Sequence, residues 1–237
     1  MKTNKKIIFS LLAVLLFIAC GHDTKDPFAD FNPYDANLGK RIEAYQDAKF
    51  PNLANSKTGN PALYIDFSSG INKAFKDPII DKLMSDCFNT ILADKFDVFK
   101  LGENQVTQLQ VSNTTQLGEK ISDGNEYKDI FAPIQFAVEK IVNNNNDALL
   151  ITDFEEWQSN TEITSTAFLK IPFTKWLSKG NSIHFFIANY KEGSVSKHIY
   201  FTIFNCGNPN ESSMITKLQA KLSPLLVRYD LTNARQN

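Results

Sequence analysis

Residues 62–70, Ala-Leu-Tyr-Ile-Asp-Phe-Ser-Ser-Gly, are the stretch on which the fold reading turns. A short apolar run of β-type residues without polar alternation is the pattern of a central strand buried on both faces. Downstream, Ile79, Ile80, Leu83, Met84, Cys87, Phe88, Ile91 and Leu92 recur as pairs every four residues, the stripe of an amphipathic helix. Residues 96–102 and 105–111 then read as two strands around a Gly-Glu-Asn turn. A second helical pattern runs over 130–142, with Ile130, Ile134, Val138 and Ile141 on one face and Pro133 confined to its first turns. Residues 147–154, Asp-Ala-Leu-Leu-Ile-Thr-Asp-Phe, repeat the buried-strand pattern. A short helix over 173–180 stops at Gly180, the residue favoured just past a helix end. Residues 182–190 and 197–204 predict a hairpin with a Gly- and Ser-containing turn, and 212–222 a last helix. Strands alternating with helices predict an α/β domain: a mainly parallel, doubly wound sheet with helices on both faces and an antiparallel hairpin at one edge.

In such sheets, sites form outside the carboxyl ends of the strands, where strand order reverses. Two buried strands here end in acid, at Asp66 and at Asp153. A carboxylate leaving a buried strand is costly unless it is paired, capped or solvated. Parallel central strands bring both carboxylates to one edge, with the Ser68 hydroxyl two residues beyond Asp66. Two carboxylates and a hydroxyl are hard oxygen donors suited to Mg²⁺, Ca²⁺ or Mn²⁺ and not to zinc. The competing reading has Asp66 and Ser68 capping the following helix, with Asp153 bonding within its own loop.

At these residues the chain resembles the von Willebrand factor type A domains. Their first strand ends in Asp-x-Ser-x-Ser, a middle loop supplies a Thr, and a later strand ends in Thr-Asp-Gly, together forming the metal-ion-dependent adhesion site. Here Asp66-Phe67-Ser68-Ser69-Gly70 stands at the first place and Thr152-Asp153-Phe154 at the last, with helix, strand pair and helix between. Gly70 replaces the second Ser, Phe154 replaces the Gly, and the middle loop offers Ser122, Asp123 and Asp129 in place of Thr, with Lys128 opposing a cation. The resemblance spans residues 60–222 and implies a protein-binding module, with Asp66, Ser68 and Asp153 as the cation ligands that carry over.

Outside that set, Glu155, Glu156 and Trp157 form either a partner-binding rim with an aromatic anchor or a solvated loop whose Trp packs on the domain. His184 and His198 fall in the predicted hairpin, with nothing nearby in sequence to complete a Ser-His-Asp arrangement. No Gly-rich phosphate loop or nucleophile elbow is present. Cys87 lies on the apolar helix face, and Cys206 follows the hairpin. Both are expected to stay unpaired.

Working back to the amino terminus, Lys2, Lys5 and Lys6 precede an uncharged run from Ile7 to Ala19 and then Cys20. That run is shorter than the roughly 20 residues a spanning helix needs. Phe17-Ile18-Ala19-Cys20 resembles a lipobox, with Phe17 where Leu is usual. The expectation is a lipoprotein signal over 1–19, lipidation at Cys20, a tether and docking segment over 20–59 containing a short helix at 40–50, and the α/β domain over 60–237. Removing the signal takes three lysines, leaving 22 basic residues against 26 acidic and a formal charge of −4. This charge gives no footprint for nucleic acid. The 19 Phe residues favour a packed interior.

These observations lead to a non-enzymatic module held by its N-terminal lipid at the outer membrane, on the periplasmic face or the cell surface, where it binds an envelope or extracellular protein. The alternatives are a metal-dependent envelope hydrolase or phosphotransferase using the same carboxylates, and a glycan- or solute-binding lipoprotein. The last requires Trp157, Trp176 and Phe residues to line an exposed groove.

Overall fold

The computed structural model describes residues 59–91, 95–102, 104–130, 132–158, 161–163 and 166–232. The expected signal, Cys20, the tether and its short helix lie outside the described residues. Among the described residues there are nine strands: β1 (Ala62–Asp66), β2 (Asp97–Gly102), β3 (Gln105–Leu109), β4 (Ala148–Thr152), β5 (Glu156–Gln158), β6 (Thr161–Ile163), β7 (Ser182–Glu192), β8 (Val195–Asn205) and β9 (Val227–Leu231). The helices are α1 (Asn72–Phe75), α2 (Pro78–Ile91), α3 (Thr114–Ser122), α4 (Ile134–Asn144), α5 (Lys170–Ser178) and α6 (Met214–Leu222). Among the described residues no helix is long and apolar enough to cross a membrane.

Seven strands form one open sheet in the order β3-β2-β1-β4-β8-β7-β9, and β5 with β6 makes a separate ribbon. On one face, α1, α2, α3 and α6 pack on Leu63, Ile65, Leu149, Ile151, Phe201 and Ile203. On the other, α4 and α5 pack on Tyr64, Leu101, Leu150, Ile183 and Phe204. The α/β class with helices on both faces is therefore what the chain adopts. Alternate residues of each central strand feed opposite cores, which is why β1 and β4 carry no polar alternation.

Strand directions divide differently from the sequence reading. Only β1 with β2 and β1 with β4 run parallel. The pairs β2–β3, β4–β8, β8–β7 and β7–β9 are antiparallel. Burial on both faces reports a central strand but not its direction, which the connections set. The β7–β8 hairpin turns at Gly193, whose φ of 62° suits glycine. It does not close the sheet: β8 lies against β4, and β9 follows β7 as the edge.

Local chemistry explains the helix limits. The Asp77 carboxylate accepts from the Ile79 and Ile80 amides at 2.9 and 3.3 Å, capping α2 just before Pro78. The α4 helix starts after Pro133, later than the periodicity placed it, so Ile130 is outside the helix and exposed. The helix α3 and the strand β9 have no counterpart in the sequence reading. Asn113 caps α3 by accepting from the Gln116 amide at 2.9 Å, and Leu117 and Ile121 are its buried stripe.

Cys87 and Cys206 are buried and form no disulfide with each other. Cys87 belongs to the core beneath α2, Cys206 to the core beneath α4 and α5, so the sheet stands between them. Burial pushes the Cys87 thiol up to about 12, leaving it an inert packing group.

Candidate functional site

The chain leaves β1 to form β2 on one side and returns to form β4 on the other, so strand order reverses at β1. Register places Ile65 beside Ile151 in parallel strands, and Asp66 and Asp153 leave the sheet at the same carboxyl edge. The strand ends at such a reversal are where a ligand site is expected in this architecture.

Asp66 is fully buried. Its Oδ1 accepts from the Ser68 amide at 2.7 Å, and its Oδ2 accepts from the Thr152 hydroxyl at 2.8 Å. The Ser68 hydroxyl adds a further bond. Asp66 and Ser68 thus serve their own loop and β4 and do not cap α1, whose first turn carries no side-chain cap. Thr152 also accepts from the Phe154 amide at 3.1 Å, so one hydroxyl fixes both strand ends. Asp153 accepts from the Glu155 amide at 2.9 Å and is buried.

The electrostatics of this pair are unfavourable to charge. Burial raises the Asp66 carboxyl above the usual range, although bonds from Ser68 and Thr152 oppose the shift. Burial and then the Asp66 charge push Asp153 up to about 8. At neutral pH the pair therefore retains a proton unless a cation takes its place. Tyr190 bears on the same cluster. Its hydroxyl is buried and has no hydrogen-bond partner among the described residues, and burial followed by the Asp153 charge raises its pKa.

Two neighbours shape the rim. Phe154 has φ of 59°, a left-handed conformation that favours glycine, the residue the adhesion-site motif carries there. Its ring is held against Tyr200 at 5.2 Å and Phe185 at 6.2 Å. Gly70 is open: a Cβ built there would meet only the Asp153 Oδ2, at 4.0 Å.

The middle loop reaches the site through its backbone. Ser68 bridges Asp129, and the Ser69 amide donates to the Asp129 carbonyl at 2.7 Å. Ser122 and Asp123 do not reach it; Ser122 ends α3, and Asp123 caps a short 3-10 turn by accepting from the Asn125 amide. Glu155 stands in a series of ion pairs at the surface. It pairs with Lys197 at 3.1 Å, Lys197 with Glu192 at 3.2 Å, and Glu192 with Lys73 at 2.6 Å. Glu156 and Trp157 lie on β5, opposite Ile163 and Glu162, and their side chains fall outside the described residues. Trp176 is wholly buried and donates its indole N–H to the Ser182 carbonyl at 2.9 Å. It therefore lines no exposed groove.

One expectation is overturned outright. A Ser-His-Asp arrangement does exist: Ser182 Oγ is 2.9 Å from His184 Nε2, and His184 Nδ1 is 2.8 Å from Asp230 Oδ1. The sequence concealed it because Asp230 arrives on β9, a strand not foreseen. Ser182 and His184 are buried, and burial lowers the His184 pKa, so the imidazole is neutral at pH 7. A serine closed to solvent offers no approach to a substrate, and the series of bonds fastens β9 to β7.

Comparison of the chain with family models, with curated proteins and with solved structures gives no match. Among the described residues no three His, Cys, Asp or Glu side chains cluster at metal-ligand spacing. The two carboxylates and the Ser68 hydroxyl fit a hard divalent cation by donor type and by their unmet need for positive charge. Gly70 supplies no donor, and both Asp66 oxygens already accept bonds. The chain's own ligands thus fall short of the six or more oxygens that Mg²⁺ or Ca²⁺ takes.

Proposed function

We propose that this chain is a membrane-anchored envelope lipoprotein whose α/β domain, of the von Willebrand factor A type, binds a partner protein through the rim at Asp66, Ser68 and Asp153. The observation carrying this reading is the meeting of two buried carboxylates from parallel neighbouring strands at the switch point. Their mutual repulsion makes the rim a receptor for positive charge. Mg²⁺, Ca²⁺ or Mn²⁺ held there would supply that charge and polarise an oxygen ligand from outside. Because the chain offers few donors, a carboxylate from the partner completes the shell, so cation and partner bind together. Anchoring rests on the order of lysines, apolar run and Cys20.

The test is calorimetric titration of the full chain with Mn²⁺ or Mg²⁺ at pH 8, with capture of envelope proteins in the presence and absence of chelator. Weak cation binding lost in Asp153→Asn, with chelator-sensitive capture, is the expected result. Saturating cation at a hundredfold excess over its dissociation constant should stabilise the fold by about 2.7 kcal/mol. Absence of both heat and thermal shift refutes the cation; capture that also ignores Asp153→Asn refutes this rim as the binding surface.

A further inference from the structure

Among the described residues, the strand β9 pairs with β7 alone and forms one end of the seven-stranded sheet. Its outward residues are unusual for an exposed edge. Val227, Tyr229 and Leu231 are 58, 61 and 39% exposed, and Leu225 just before them is 60% exposed. They alternate along the strand and therefore share one face. That face is the α4 and α5 side, since Leu231 sits beside Ile183 of that core. Exposed edges are ordinarily protected by Lys, Pro, a bulge or a covering element. The β9 strand carries neither Lys nor Pro, and its apolar residues stand in the solvent.

The opposite face of β9 bears Arg228 and Asp230. Arg228 Nε donates to Asp230 Oδ1 at 2.8 Å, and its Nη1 donates to Gln219 at 3.2 Å. His184 Nδ1 donates to the same Asp230 Oδ1. The Arg228 Nη2 meets only His184 Nδ1, at 3.4 Å. That nitrogen already gives its proton to Asp230, so it is no acceptor for Nη2. Among the described residues, Asp230 Oδ2 therefore receives no donor and Arg228 Nη2 finds no good acceptor.

We propose that β9 is a dimerisation edge, pairing antiparallel with β9 of a second copy about a two-fold axis through Tyr229. In that register Arg228 faces Asp230 of the second copy and Asp230 faces its Arg228, twice over. Val227 faces Leu231, and Tyr229 faces Tyr229. The unused acceptor and donor of each copy are complementary to those of the other. Moving the axis to residue 228 or 230 sets Arg against Arg or Asp against Asp, which is destabilising across strands. A one-residue slip places the apolar face of one strand against the charged face of the other. The strand is self-complementary in one register only. An isologous two-fold contact of this kind continues the sheet into fourteen strands. Even complete burial of these apolar residues would cover at most roughly 800 Å² in total, below the range of standard specific interfaces, so the dimer is weak, depends on the strand hydrogen bonds and the Arg228–Asp230 pairs, and forms at micromolar concentrations or above. The strand ends at Asp153 and Asp66 lie three and four strands away, clear of this edge.

Sedimentation equilibrium of the full chain in mild detergent, from about 1 to 200 μM, tests this. The wild type should shift from monomer to dimer across that range. Tyr229→Lys, at an exposed position whose side chain makes no hydrogen bond among the described residues, should weaken the dimer at least tenfold, and Val227→Lys likewise. Gln105→Lys on β3, the other sheet edge, and Ile171→Lys on α5 should leave it unchanged. Arg228→Asp should dissociate the dimer, and adding Asp230→Arg should restore it in part. A wild type that remains monomeric throughout overturns the proposal; if deleting residues 233–237 then yields dimers, the carboxyl terminus is the occupant of the edge. A dimer indifferent to Tyr229→Lys overturns it as well.

Discussion

Asp153→Asn should stabilise the cation-free domain, by an amount that grows with pH. In the unfolded chain this carboxyl titrates near its ordinary value of 3.8, whereas burial and the Asp66 charge hold it near 8 in the fold. Between those values the folded state binds the extra proton, so the stability this residue contributes is complete below pH 3.8 and is lost as pH climbs to about 8. Each pH unit in the window removes about 1.4 kcal/mol, and the whole shift amounts to an upper limit on the order of 6 kcal/mol. Asn has the same shape and keeps an Oδ1 to accept from the Glu155 amide. The variant also frees Asp66 of a neighbouring charge. Urea midpoints for wild type and variant, measured with chelator at each pH from 5 to 9, should therefore diverge up to pH 8 and run parallel above it. Millimolar Mn²⁺ should recover wild-type stability at high pH and leave the variant unmoved, because a cation replaces the proton. A stability difference that stays constant from pH 5 to pH 8 would refute the reasoning, since the carboxyl would then titrate alike in both states.

The other expectations are more local. Gly70→Ser adds a hydroxyl where space is open beside Asp153, so cation affinity measured by calorimetry should rise several-fold; an unchanged affinity removes this loop from the proposed ligand shell. Thr152→Val deletes the donor to Asp66 and the acceptor for the Phe154 amide, and should cost about 1–3 kcal/mol in chemical denaturation. At position 154, Phe→Ala keeps the left-handed strain and loses the ring contacts, whereas Phe→Gly loses the contacts and relieves the strain. Phe154→Gly should thus be the more stable of the two by about 1 kcal/mol, and the reverse order would show that the backbone there is unstrained. Cys20→Ser should abolish palmitate labelling and release the protein from membranes, and labelling that survives would place the lipid elsewhere or nowhere.

The sequence by itself determined those features that local chemistry encodes. The unbroken apolar runs at 62–65 and 148–151 announced central strands because a strand covered on both faces has no polar side to show. The pairs every four residues announced α2, and Gly193 the hairpin. The acidic strand ends at Asp66 and Asp153 were visible for the same reason: a carboxylate closing an apolar run is an expense that a fold retains only where something answers it. Tertiary structure alone decided the rest. Neither the direction of β8 nor its seat beside β4 is written in its residues, since apolar side chains on both faces suit either direction. The strand β9 was not foreseen because it is only five residues long and largely exposed, and its place beside β7 is set by tertiary pairing. Its arrival set Asp230 beside His184 and exposed a self-complementary edge. Thr152 and Tyr190 are ordinary residues in the chain and become part of a charged cluster only where β1, β4 and β7 place them. The Asp153 pKa belongs to that placement too, because desolvation and the field of Asp66 exist only once the sheet has closed around them.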